Sequence, residues 1–367
     1  MPVKLPVATA DALASLGASL LATLLLCGCA GPGYYAQAIA GHLELMRARQ
    51  DLDALVQHDD TDPQLAAQLR EAAGLVRYAR HQLALPTGDS YASVVITGRD
   101  AVTWNVVVAP EFSTQPKTWC FPVAGCVPYR GYFDAHRAGA FAARMANKNL
   151  DVMVSPAIAY STLGWFDDPL LDTMLQYDAA QLAGIIFHEL AHQRLYVRGD
   201  TAFNEGFASF VEETGVGQWL TETGQPDAVI DWRRRQQAAS QFNQLLLETR
   251  DTLQALYASN LSAESTRAAK ADVFAGMRTT YQGWVEQEWH GTSYFETWMS
   301  GPLNNAHLAL ATSYEGSRCA FKKLFATAGG DLPQFYQLAE RQARLGRKLR
   351  AQWLGNACTA FASDVDL

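Results

Sequence analysis

Two short stretches, H-E-L-A-H at 188–192 and N-E-G-F-A at 204–208, dictate more of the fold than any other part of this 367-residue chain. On a helix His188 and His192 stand four apart, so both rings leave the same side about one turn from each other. At that separation two imidazole nitrogens can reach one zinc ion at ~2.0–2.1 Å. The preceding residues, L-A-G-I-I-F, are apolar. The histidines therefore belong to a buried helix, where imidazoles without partners would be costly. The turn Arg198-Gly199-Asp200 then sends a second helix, from about Ala202 to Thr214, back antiparallel to the first. At ~1.5 Å rise per residue, Glu205 returns to within a few ångströms of the level of His192.

Zinc needs a third protein ligand, and Glu205 supplies a carboxylate. Glu212 lies two turns further along the same face and competes for that role. We place Glu205 on the metal and Glu212 behind a histidine, accepting from its other ring nitrogen. Glu189, beside His188, is positioned to handle a proton without being a ligand, which is the H-E-x-x-H arrangement of zinc hydrolases. Two histidines and one carboxylate leave a coordination position open for water, as catalytic sites do.

The flanking sequence predicts an α+β, mainly helical chain with a small sheet next to the histidine helix. Tyr34 to about Leu85 repeats apolar residues at three and four, with Pro63 placed as a first-turn proline after Asp62. Residues 90–98 and 101–110 are β-branched and aromatic, divided by Gly98-Arg99-Asp100, and read as a hairpin or adjacent strands. Residues 151–160 are a further strand. Asp178 caps a helix that runs through the histidines to Val197. Beyond Pro226 the chain is helical again, and Arg233 to Arg235 form a solvated face. A net charge of −8 with no long basic run excludes nucleic acid as the main partner.

From Leu13 the N-terminus is apolar and small-residue-rich, too short and too rich in Gly, Ala and Ser for a spanning helix, and it suits a signal peptide. It ends in Leu26-Cys27-Gly28-Cys29, which resembles the bacterial lipobox, with Cys29 as the lipidated residue. The division expected is 1–28 signal peptide, 29–86 helical segment and 87–367 catalytic region. Ala30 after the cysteine favours, by that resemblance, the outer membrane facing the periplasm. Export makes disulfides the expected use of the other four cysteines. Pro122, Gly125 and Pro128 bend the chain enough to join Cys120 to Cys126, which leaves Cys319 with Cys358.

H-E-L-A-H followed by N-E-G-F-A-S-F-V-E resembles the gluzincin metallopeptidases, particularly the membrane alanyl-aminopeptidase type. Over nearly its full length the chain also resembles a group of bacterial lipoproteins described as "putative aminopeptidases". The matching segments are L-C-G-C with Tyr34-Tyr35, the Cys120–Cys126 stretch, Tyr160 to Gly164, the histidine–glutamate section and Asn304-Asn305-Ala306. The histidine-to-glutamate gap is shorter than in the larger gluzincins, and Ser209 stands where some have an aspartate.

The resemblance implies a gluzincin-like fold and a zinc-dependent peptidase with Glu205 as third ligand and Glu189 as general base. It also implies a downstream tyrosine as oxyanion donor, for which Tyr314 is chosen over Tyr294 and His290. Tyr160, Ser161, Thr162 and Leu163 would line the peptide groove, and Asp167, Asp168, Glu212 and Glu213 are available for a substrate ammonium. The alternatives are a zinc hydrolase of a non-peptide amide or ester, and an inactive envelope-binding lipoprotein.

Overall fold

The computed structural model describes residues 31–121, 125–159 and 167–359, without the side chains of Pro32, 310–316 and 356–359. Cys29 and the Tyr160–Leu163 segment lie outside the described residues, as do the side chains of Tyr314 and Cys358.

The described chain begins with helix α1 (Pro32–Arg47), a short strand β1 (Gln50–Asp51), and helices α2 (Leu52–Gln57) and α3 (Pro63–His81). Asp62 caps α3 by accepting from the backbone N–H of Gln64 and of Leu65, and Pro63 sits in the first turn. Strands β2 (Ser93–Val95), β3 (Thr103–Pro110), β4 (Trp119–Phe121), β5 (Gly125–Val127) and β6 (Tyr129–Tyr132) follow. Next come α4 (Ala135–Ala146), β7 (Leu150–Ala157) and β8 (Leu170–Leu171). After a 3₁₀ turn the rest is helical: α5 (Ala179–Arg194), α6 (Thr201–Glu222), α7 (Pro226–Tyr257), α8 (Ala263–Gln287), α9 (Glu296–Met299), α10 (Asn305–Thr327), α11 (Leu332–Ala343) and α12 (Arg347–Thr359).

Among the described residues the strands form three small sheets, ordered β1-β2-β8, β6-β3-β7 and β4-β5. The two β-rich stretches expected to pair with each other do not: β2 and β3 lie in different sheets. The carboxylate of Asp172 explains the separation. It accepts from the Thr97 hydroxyl and the Gly98 N–H, each at 2.7 Å, and so ties the end of the 90–98 stretch to the turn after β8. β2 pairs in parallel with β8, while β3 takes β7 in antiparallel register from Thr103↔Ala157 to Pro110↔Leu150.

One core unites α3, the β1-β2-β8 sheet, α5, α6 and α11 around Leu69, Leu75, Val94, Leu170, Phe187, Phe207 and Phe335. A second, formed by α7, α8 and the segment around α9, is built on Phe242, Leu253, Phe274, Tyr281 and Trp289. Helix α6 runs well past the expected Thr214. Gly215 resembles a stop signal, but a Cβ there would lie 2.7 Å from Leu83 and 3.0 Å from Phe187. The glycine lets helices approach; it does not end one.

Candidate metal centre

Helix α5 starts at Asp178, whose carboxylate accepts from the Gln181 N–H at 2.9 Å. It ends at Arg194, short of the expected Val197, because Leu195 turns extended (φ −153°). The amide of Asn204 then clasps the linking loop from both sides. Its Oδ1 accepts from Val197 N–H at 2.7 Å, and its Nδ2 donates to the Val197 carbonyl at 2.9 Å. Asp200 caps α6 and is gripped by the buried guanidinium of Arg350, with Nε and Nη2 each 2.6 Å from its Oδ2. Asn204 and Arg350 thus fix how the two helices face each other.

Close approach does the rest. A Cβ at Gly206 would lie 2.5 Å from Ser317 on α10, and a Cβ at Gly184 would lie 3.1 Å from the Glu212 carboxylate. Gly184 is one turn before His188. The missing side chain leaves room for Glu212 to reach across and take a hydrogen bond from His188 Nδ1 at 3.0 Å. His188 Nε2 then points at Glu205 Oε2, 3.3 Å away, and His192 Nε2 is 3.8 Å from Glu205 Oε1. One ligand atom from each of His188, His192 and Glu205 lies within 4.8 Å of the others.

Their electrostatics suit a cation. Burial lowers His192 to about 4, assisted by the charge on His188, so its ring is neutral and has a lone pair to give. Burial also pulls His188 down, but hydrogen bonds to Glu205 and Glu212 outweigh it and hold the ring well above its ordinary value. Burial raises Glu205, yet the His188 hydrogen bond and the nearby histidine charges keep it below the usual carboxylate range. Among the described residues His192 Nδ1 has no hydrogen-bond partner, an uncommon state for a buried polar atom. The two-nitrogen, one-carboxylate set and the neutral buried ring fit a divalent ion of the zinc type.

Glu189 is held up to about 7, chiefly by burial and against the pull of His188. Its charge, with that of Asp168, acts on the buried phenol of Tyr91, a residue with left-handed backbone (φ 65°). Two further phenols feel Glu205. Tyr129 on β6 is raised by burial and then by Glu205, Tyr196 and Glu189; Tyr196 is raised by burial and Glu205. The Tyr196 ring stands edge-on to His192 at 6.2 Å. None of these three was anticipated from sequence. Tyr196 could have been, since it follows His192 by four residues, whereas Tyr129 comes from a strand with no local signal.

Among the acidic candidates, Asp168 is buried and acts electrostatically on Glu189. Asp167 accepts from the Asp89 N–H at 3.3 Å, and Glu213 pairs with Arg318 at 3.4 Å. Tyr294 packs on Trp289 at 5.5 Å in the second core, and His290 takes a left-handed backbone (φ 54°) beyond α8. Cys120 and Cys126 are joined in a disulfide across the β4–β5 hairpin. Gly125 of that hairpin lies against Gly199 in the α5–α6 loop, where an added Cβ would be 2.9 Å from the Gly199 nitrogen. Cys319 is disulfide-bonded, and its expected partner Cys358 lies outside the described side chains.

The profile of the family described as "Putative aminopeptidase" matches residues 33–354, and the chain belongs to that family. No curated protein and no solved structure matches it.

Proposed function

We propose that this family member is a zinc-dependent aminopeptidase held at the outer membrane by a lipid on Cys29. The observation that carries the enzymatic reading is the convergence of His188, His192 and Glu205 to within 4.8 Å, with Glu189 beside them on the same helix. Family membership supplies the peptide substrate.

When bound, the divalent ion would supply Lewis acidity to an attacking water and to the scissile carbonyl. The chain's own groups do the remainder. Glu212 holds His188 in the tautomer that presents Nε2 to the site. Glu189 takes the proton from the attacking water and returns it to the leaving amine. Its burial favours the protonated form, which eases the first transfer. A phenol donates to the oxyanion. Tyr129 and Tyr196 lie in the field of Glu205, and Tyr314 is the candidate from sequence. Asp168, whose charge acts on Glu189, is the acidic candidate for a substrate ammonium.

The test is to measure bound zinc and the turnover of free and N-blocked peptides, with Glu189→Gln beside the native protein. The variant should keep its zinc and lose turnover by about 10²–10⁴-fold. Cleavage of free but not blocked peptides is expected; cleavage of blocked peptides would replace the aminopeptidase reading with an endopeptidase one. Zinc without cleavage of either would end the peptidase reading. Single Phe replacements of Tyr129, Tyr196 and Tyr314 identify the donor as the one whose loss lowers kcat by about 10²–10³-fold at unchanged zinc content.

A further inference from the structure

Helix α1 presents an apolar stripe to solvent that neither core nor the metal centre uses. Its inner face is fixed. Tyr34 stacks on Phe121 at 5.4 Å and meets Tyr132 edge-on at 5.5 Å. Gln37 accepts from the Phe133 N–H at 3.1 Å and donates to the Gly131 carbonyl at 3.3 Å. Gly41 sits against the Phe133 ring with no room for a side chain, and Leu45 is buried. Positions 34, 37, 41 and 45 recur at three and four, so this face locks the helix against rolling. The opposite face consists of Ala36, Ile39, Ala40 and Leu43, all exposed. Ile39 and Leu43 show 58% and 42% of their surface, and exposed Arg47 continues the same face one turn on.

Position along the chain says what covers the stripe. Pro32 follows Cys29 by three residues, a reach of at most ~11 Å. At ~1.5 Å per residue Ile39 lies only ~10 Å further along the helix. A lipid on Cys29 therefore confines the stripe to the neighbourhood of the headgroups. A second copy of the chain is a poor alternative occupant. A specific dimer buries ~800 Å² on each partner, and two aliphatic side chains with two alanines offer far less.

We propose that α1 lies along the phospholipid surface, with Ile39 and Leu43 entering the acyl boundary and Arg47 at headgroup level. The inference rests on the lipid anchor at Cys29 and is independent of the peptidase reading. The anchor holds the protein to the membrane; the stripe fixes which side of the body faces it. Because α1 packs on β6, the strand that carries Tyr129, the orientation of the metal centre is fixed as well.

The test uses the acylated full chain in phosphatidylethanolamine–phosphatidylglycerol vesicles with brominated acyl chains. An environment-sensitive probe is attached at Ile39→Cys, Leu43→Cys or, as controls, Ile230→Cys and Leu261→Cys, which are equally exposed on other parts of the surface. Probes at 39 and 43 should shift to the blue and be quenched, and those at 230 and 261 should do neither. Absence of quenching at 39 and 43 overturns the proposal, whether the protein stays off the vesicles or hovers on its anchor. Equal quenching at all four positions overturns it too. A blue shift without vesicles that grows with protein concentration assigns the stripe to a second copy. Peptide turnover in the same preparations reports separately on the enzymatic reading.

Discussion

The paired helices α5 and α6 and the arm made by α7, α8 and the segment around α9 are both buried and both rich in aromatic residues, yet they treat polar atoms differently. In the arm the polar groups around Trp289 find their partners nearby, although Trp232 Nε1, near the start of α7, is buried without one among the described residues. Trp289 Nε1 donates to Gln241 Oε1 at 2.9 Å, and the Tyr281 hydroxyl lies 2.9 Å from Ser293 Oγ and accepts from the Phe295 N–H. Between α5 and α6, Glu189, Glu205 and His188 crowd together, and His192 Nδ1 has no partner among the described residues. The crowded carboxylates of the helix pair would be compensated by an added cation, whereas the Trp289 cluster of the arm is paired as it stands.

The sharpest way to break this contrast is to damage the arm. Phe242 stacks on Phe295 at 4.2 Å and meets Trp298 edge-on at 5.1 Å, with 4% of its surface exposed. Phe242→Ala should cost ~3–5 kcal/mol of stability by denaturant titration. Zinc content per folded molecule should stay at the native level. A parallel fall in zinc affinity would show that the arm shapes the centre and that the division is false.

A smaller effect is expected inside the helix pair. Glu212→Gln keeps the size of the side chain but gives His188 Nδ1 a neutral acceptor. Zinc affinity should fall by about 10–100-fold, read by chelator competition, with little change in thermal unfolding of the metal-free protein. Unchanged affinity would remove Glu212 from its role behind His188.

How much of this was legible beforehand follows from distance along the chain. His188, Glu189, His192, Glu205 and the supporting position of Glu212 occupy one helix–turn–helix, where periodicity converts spacing into geometry. Asp178 and Asp62 as caps were readable for the same reason. The pairing of β2 was not, because it depends on Asp172 gripping Thr97 and Gly98 from some seventy residues away. The length of α6 was misjudged because a glycine reads alike whether it ends a helix or admits a neighbour. Tyr129 reaches the centre from a strand placed by tertiary pairing, and Arg350 grips Asp200 from the far end of the chain.

The mildest test concerns a half-buried histidine on α10, at the border of the arm. His307 lies in the first turn of α10, edge-on to Trp298 at 5.3 Å, and its Nδ1 accepts the Asn304 N–H at 3.2 Å in a capping box. Burial lowers its pKa to about 4, against the hydrogen bond at Asn304 and with help from Arg278. The folded chain therefore keeps it neutral while the unfolded chain protonates it near 6.5. The stability it contributes is complete above 6.5 and is lost as pH falls from there towards 4, by at most ~1.4 kcal/mol per pH unit. His307→Gln keeps an acceptor for the Asn304 N–H and removes the titration, so the variant's stability should fall less steeply across that window. The comparison is made on protein saturated with zinc, which on the proposed reading would hold His192, so that His307 alone differs between the two curves. Superimposable curves would mean that His307 is hydrated in the folded state, and that the arm is less closed than its hydrogen bonds imply.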